Sequence, residues 1–306
     1  MAEIGTDIEY AKKLLDKDEL VAIPTETVYG LAGKGFSPEA LLKIFKTKNR
    51  PSFDPLIAHT DSIEKVEQFV EYIPDMARDL ASKFWPGALT LLLPKSNIIP
   101  DIMTSGLPNV AVRIPNHPLT LSLLKTLDYP IAAPSANPFG YVSPTKAQHV
   151  NDNLGDRITY ILDGGSCLVG LESTIVGFEN NETVIYRLGG LKVEAIEAIC
   201  GKVKIRNNQS SDPKAPGMIK SHYSPGKPVE LVPYGEIPDL SPEVRSKTGI
   251  ISFKSTTDLP YHFVLSKTGD LQEAAFNLFT ALRFFENTPV TKILAEKLPD
   301  TGLGMA

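Results

Sequence analysis

Ile131-Ala132-Ala133-Pro134-Ser135-Ala136-Asn137 is an apolar, strand-like run that breaks into a turn of small polar residues held between Pro134 and Pro138. A buried strand opening into a loop of hydrogen-bonding groups is where small-molecule sites gather in α/β proteins. A second such cluster, Lys48-Asn49-Arg50 followed by Pro51, ends a helical pattern and sets two cations at a loop mouth. Together they point to a pocket for a polyphosphate and a small anion, and so to a chain that handles a nucleotide.

Outward from these clusters, helical and strand-like patterns alternate. Residues 8–15, 40–45, 118–127 and 192–199 have helical spacing, whereas 20–23, 56–58, 89–93, 110–114, 158–162, 173–176 and 184–187 read as strands. That alternation predicts an α/β fold, a mixed sheet with helices on its faces. After Cys200 the polar, Pro-containing stretch 207–213 marks a linker. The stretch 215–226 is rich in turn formers but also holds Met218, His222 and Tyr223, unusual for a passive spacer. Strand-like 249–253 and 292–295, with a helix over 271–285, predict a second, smaller α/β domain. The expected boundaries are 1–205, a linker or lid at 206–228, and 229–306.

The chain has 306 residues, 42% hydrophobic and 22% charged, the composition of an ordinary soluble protein. Its net charge of -5 argues against a surface that binds nucleic acid all over, while leaving room for a local basic hollow. Cys167 and Cys200 show neither CxxC nor Cys/His spacing, so no disulfide framework or zinc site is indicated and the expected compartment is reducing. The acidic N-terminus lacks a signal-peptide core and no apolar run matches a bilayer, which makes the expected location cytoplasmic.

Arg113 lies inside the apolar run 110–114, where a charge is costly unless an anion meets it. A substrate carboxylate and an acid of the chain itself are equally good candidates. Lys48 and Arg50 can grip phosphates or simply form a solvated basic helix end. Ser135 and Asn137 offer uncharged hydrogen-bonding groups on a rigid turn, or form a plain Asx-type turn. Ser143, before Pro144, reads as a ligand contact or as the N-cap of a helix through Lys146 and Ala147. His59 ends a short strand, and the other histidines have no metal-ligand spacing. With no GxxxxGK[ST] loop, GxSxG elbow or catalytic Cys/His pattern, the inventory is cations and neutral donors. Such a set suits a reaction run by positioning and charge stabilisation, such as nucleotidyl transfer.

Six motifs, in order, then resemble the YrdC-like threonylcarbamoyl-AMP synthases: Pro24-Thr25-Glu26-Thr27-Val28-Tyr29-Gly30-Leu31, Lys48-Asn49-Arg50-Pro51, Phe84-Trp85-Pro86-Gly87-Ala88-Leu89-Thr90, Val112-Arg113-Ile114-Pro115, Pro134-Ser135-Ala136-Asn137 and Glu172-Ser173-Thr174-Ile175-Val176. The linker and the smaller domain resemble the longer, two-domain form. The resemblance implies a YrdC-like twisted mixed sheet with flanking helices and a Rossmann-like C-terminal α/β domain. It implies a nucleotidyltransferase that joins L-threonine, bicarbonate and ATP into threonylcarbamoyl-adenylate, releases pyrophosphate and serves threonylcarbamoyladenosine modification of tRNA. Mg²⁺ is implied with ATP, not on protein ligands, and the further partners implied are a downstream threonylcarbamoyl transferase and a contact with tRNA, with no membrane.

By the same resemblance Thr27, His59, Arg113, Ala133 and Ser173 hold threonine. Lys48 and Arg50 are catalytic, and Arg50, Asp54, Asn109, Ser135, Asn137, Ser143, Arg187 and Tyr223 meet ATP. Asp54 beside phosphates calls for Mg²⁺ or an amide-like role. The chain departs from the family pattern at Ile219-Lys220-Ser221, where an aromatic and an arginine are usual, and at Gly302-Leu303-Gly304-Met305-Ala306, where longer members continue with another helix. Two rivals are an RNA-binding module and a carbamoyl-transfer domain using carbamoyl phosphate.

Overall fold

The computed structural model describes residues 1–180, 182–206, 215–216, 223–238, 240–256 and 258–306. Ile219, Lys220 and Ser221, where the linker departs from the family pattern, lie outside the described residues. Strands β1 (Glu3–Gly5), β2 (Val21–Ile23), β3 (Gly30–Lys34), β4 (Ile57–His59), β5 (Leu89–Pro94) and β6 (Asn109–Arg113) come first along the chain. β7 (Ile131–Ala132), β8 (Tyr160–Leu162), β9 (Thr174–Glu179), β10 (Glu182–Arg187) and β11 (Lys204–Ile205) follow. Among the described residues they form one mixed sheet in the order β1-β8-β2-β3-β7-β4-β6-β5-β9-β10-β11. The mixed α/β sheet read from the sequence is therefore present.

Period-two alternation decides what each face of this sheet packs against. Leu20, just before β2, and Ala22 on it enter one core with Leu41, Ile44, Leu80 and Val150, side chains of helices Pro38–Lys48, Asp75–Phe84 and Ala147–Leu154. Val21 and Ile23 enter the opposite core with Ala11 and Leu15 of helix Ile8–Asp16 and Leu123 and Leu124 of helix Pro118–Lys125. Farther along, that second face changes character. Ile57, Leu92, Ala111, Ile175, Val184 and Tyr186 pack there on one another and on Ala215 of the linker, with no helix side chain in the cluster among the described residues. The functional residues lie at one end of this face.

Helix Pro38–Lys48 starts where Ser37 accepts a hydrogen bond from the Ala40 amide and proline takes the first turn. It stops at Asn49, whose left-handed backbone (φ 53°) suits asparagine. Leu41, Ile44, Phe45 and Lys48 all lie on its buried side, so spacing carries the lysine into the interior.

The smaller domain begins its own sheet at β12 (Val229–Val232), followed by β13 (Thr248–Ser252), β14 (His262–Val264) and β15 (Lys292–Glu296). All pairs are parallel, in the order β12-β15-β13-β14. Helix Leu271–Phe284, capped by Asp270, fills its core with Ala274, Phe279, Ala281 and Leu282. Val28 and Val142 of the larger domain belong to that same core. Gly170, at φ +74°, lies so close to the helix that a Cβ there would stand 2.5 Å from Phe276 Cα.

Candidate active site

A solvent-open cavity of about 470 Å³ lies where β4, β6 and β10 end, β9 begins and the 133–135 turn opens. Thr27, Arg50, His59, Arg113, Ala133, Ser135, Ser173 and Arg187, all singled out from the sequence, line it together. Glu172 and Pro216 of the linker line it as well.

Arg113 ends β6 almost fully buried. Its Nη1 donates to Thr27 Oγ1 at 2.8 Å, its Nε donates to the Gly87 carbonyl at 3.1 Å, and its Nη2 stands 2.7 Å from Glu26 Oε1. The internal ion pair left open above thus exists. Nη2 and Glu26 Oε1 are both buried and meet as a charge pair without the alignment of a hydrogen bond. Glu26 is fixed from the other side, where its Oε2 accepts from the Asn116 amide at 3.0 Å.

His59 projects from β4 beside Arg113. Burial, reinforced by that guanidinium, pushes its imidazole down to about 3, so it is neutral in the physiological range. Its Nδ1 faces the Ile57 carbonyl at 3.1 Å and must carry the proton, which leaves Nε2 as an acceptor.

Arg187 at the end of β10 is gripped by the loop before β9. Nε donates to the Ser173 carbonyl and Nη2 to Ser173 Oγ, both at 3.0 Å, while Nη1 meets Glu172 Oε2 at 2.5 Å. Ser173 Oγ also contacts Thr90 Oγ1 at 2.7 Å.

The solvated reading of the basic helix end does not hold. Lys48 is 1% exposed, and its ammonium donates to the carbonyls of Ser135 and Asn137, each at 2.5 Å. Burial, with the Arg50 cation second, pushes it down to about 7. It fastens the 135–137 turn to the helix end and stands behind the cavity wall. Arg50 is oriented by the carbonyls of Asp54 and Pro55 and by Asp54 Oδ2 at 2.9 Å. Asp54 is thus a buried carboxylate paired with a buried arginine.

Three further residues assigned to ATP by the resemblance do not themselves line this cavity. Asn137 spends its amide nitrogen on the carbonyls of Pro138 and Tyr141, shaping the loop instead of lining the cavity. Ser143 is not a helix cap, since helix Ala147–Leu154 takes Lys146 at that position, and its hydroxyl donates to Glu172 Oε1 at 2.8 Å. Asn109 begins β6, four residues before Arg113 and about 13 Å away at ordinary strand rise. It borders a separate hollow with Leu92, Gly177, Phe178 and Tyr186, at the other end of the same face.

Tyr223 stacks its ring on Phe279 of the smaller domain at 5.2 Å, and its hydroxyl reaches Glu172. Burial, then the Glu172 charge, raises its phenol well above the usual range. Its backbone is left-handed (φ 60°), uncommon for a bulky residue. Sequence reasoning assigned no role to Glu26 or Glu172, although both stand in the quoted motifs. The available signal was an acid embedded in apolar sequence, which requires a cation somewhere in the fold. Among the described residues, no three His, Cys, Asp or Glu side chains cluster closely enough to hold a metal ion.

Residues 13–189 match the Sua5, YciO and YrdC family, described as telomere recombination, and residues 191–306 match the threonylcarbamoyl-AMP synthase C-terminal domain. The chain belongs to this family. It is 40% identical to threonylcarbamoyl-AMP synthase of Pyrococcus abyssi, covering 98% of this chain and 91% of the relative. The Bacillus subtilis enzyme of the same name is 39% identical, covering 98% and 90%. The structure of P. abyssi Sua5 complexed with L-threonine superposes with a TM-score of 0.91 at 37% identity, covering all of this chain and 95% of that one. Escherichia coli YciO, at 18% identity and TM-score 0.55 over 62% of this chain and 96% of that one, shares the fold.

Proposed function

We propose that this protein is a threonylcarbamoyl-AMP synthase, a nucleotidyltransferase that joins L-threonine, bicarbonate and ATP into L-threonylcarbamoyl-adenylate with release of pyrophosphate. The observation that carries this reading is the convergence of Arg50, Arg113, Arg187 and Ser135 on one cavity, from stretches of chain far apart in sequence. The relatives named above carry that enzyme's name, and the P. abyssi protein was crystallised with threonine.

Arg113 and Thr27 receive the threonine carboxylate. Neutral His59 accepts a hydrogen bond from the amino acid, and Ser173 with the Ala133 backbone completes that subsite. The deprotonated amine takes up CO₂ derived from bicarbonate, giving a carbamate. A carbamate oxygen then bonds to the α-phosphorus of ATP as the bridge to the β-phosphate breaks, and pyrophosphate leaves with the electron pair. Arg50 and Arg187 stabilise the charge that develops on the phosphates, and Ser135 hydrogen-bonds them. Lys48 acts by holding the Ser135 turn and by its charge. No side-chain nucleophile is needed. Mg²⁺ enters on the ATP phosphates as part of the substrate.

Within this reading Asp54 sets the angle of Arg50, Asn137 shapes its loop, and Ser143 and Tyr223 stand against Glu172 at the cavity wall. Asn109 serves ATP only if the nucleotide extends along the face from Arg113 past Ala111. The product passes to a threonylcarbamoyl transferase acting on tRNA, and the proposed location is the cytoplasm. Among the described residues no helix is long and apolar enough to cross a membrane.

The test is omission: purified protein with ATP, threonine and bicarbonate should release pyrophosphate, and leaving out any one should stop it. Pyrophosphate release without threonine rejects the reading. Arg50→Ala should reduce threonine-dependent release by about 10²- to 10³-fold with unchanged circular dichroism. Near-normal turnover in that variant removes Arg50 from the mechanism.

A further inference from the structure

Glu172 is a carboxylate in the wall of a cavity read as a site for polyphosphate, and its side chain is only 10% exposed. Three donors converge on it: Ser143 Oγ on Oε1, Arg187 Nη1 on Oε2, and the Tyr223 hydroxyl. All three stand among the residues assigned to ATP by family resemblance. An anion cannot remain beside incoming phosphates without a repulsive cost, and here it occupies the donors those phosphates need.

The geometry lets the carboxylate leave without disturbing the arginine. Arg187 is held from behind through Nε on the Ser173 carbonyl and Nη2 on Ser173 Oγ, so Nη1 can exchange partners while the guanidinium keeps its place. The backbone around Glu172 is fixed as well, because its carbonyl accepts from the Gly190 amide at 2.8 Å. Only the side chain needs to turn. Of these three donors, Tyr223 is the one that comes from the linker and leans on the smaller domain. It stacks on Phe279, while the next residue, Ser224, donates its amide to the Gly140 carbonyl.

We propose that Glu172 is a placeholder anion: without nucleotide it keeps Arg187 and Ser143 in the geometry that phosphate oxygens take over, and its displacement by ATP releases Tyr223. It is a positioning residue, acting through Arg187, Ser143 and Tyr223. This inference rests on the nucleotide reading of the cavity and extends it to the linker.

The test compares the full-length protein with Glu172→Gln and Tyr223→Phe. ATP affinity is measured calorimetrically without threonine, and amide hydrogen exchange is followed over residues 223–226 with and without ATP. In the wild-type protein ATP should accelerate exchange at Ser224 and Gly226. Glu172→Gln, which keeps the shape and removes the charge, should exchange rapidly without ATP and bind it about 5- to 10-fold more tightly, the size of an ordinary coupling. Tyr223→Phe, which keeps the ring on Phe279, should also exchange rapidly before ATP is added. Wild-type protein that binds ATP with no change in exchange overturns the proposal alone, as does Glu172→Gln binding ATP more weakly with slow exchange. Wild-type protein that binds no ATP overturns the nucleotide reading and this proposal with it.

Discussion

Glu26, Thr27 and Arg113 form the same chemical unit as Glu172, Ser173 and Arg187: an acid, the hydroxyl residue after it, and an arginine from a strand end that meets both. Both units line or border one cavity, yet they are braced differently. Glu26 is tied to the Asn116 backbone and its arginine to the Gly87 carbonyl, so the first unit is closed on fixed partners. Glu172 shares its oxygens with a loop serine and a linker tyrosine, so the second is coupled to groups from elsewhere. An arginine beside a carboxylate can thus be a permanent fitting or an exchangeable one, and the remaining partners of the acid decide which.

The comparison breaks most visibly at the acids. Glu26→Ala strands Arg113, 4% exposed, without its counter-charge and should destabilise the protein by about 3–5 kcal/mol in urea unfolding. Glu172→Ala should cost less, because Arg187 keeps two contacts to Ser173. Equal losses would erase the distinction. Next, Arg113→Ala should raise the threonine KM by about 10²-fold with little change in that for ATP, whereas Arg187→Ala should do the reverse. Matching shifts for both substrates would make the cavity one undivided subsite.

A smaller effect concerns the lysine between the two units. Lys48 sits at about 7 without ligand, and added phosphate charge should draw it back up, so ATP binding near pH 8 should take up a fraction of a proton. Calorimetry in buffers of different ionisation enthalpy reads this, and Lys48→Met should abolish it. In the ligand-free protein the depressed value has the opposite face. From about 7 to the ordinary lysine value the unfolded chain binds the extra proton, so this residue makes stability rise with pH across that window. A fall in stability over that range, present in the wild type and absent in Lys48→Met, would contradict the assignment.

The alternating architecture was legible wherever strands are apolar on both sides, as at 20–23 and 110–114, because burial on two faces leaves a continuous hydrophobic run. β3 escaped, since Gly30-Leu31-Ala32-Gly33-Lys34 has weak local preference and exists through pairing with β2 and β7. Helix Asp75–Phe84 was also missed, although Ala77, Leu80 and Ala81 follow its buried stripe. In the site, Arg113 announced itself as a charge in an apolar strand. Lys48 was ambiguous because the same spacing fits a solvated helix end. Glu172 was silent for a different reason: its partners lie 15, 29 and 51 residues away, and only the folded sheet and the returning linker bring them together.

Val28 sits one peptide bond from the hydroxyl that steadies Arg113, and its side chain is packed in the smaller domain's interior. The two domains therefore have no clean seam at this point. Prising them apart would strip the outer buttress from the amino-acid pocket in the same movement, so a chain shortened to the larger domain must find other cover for Val28 and Val142 before it can grip its substrate equally well.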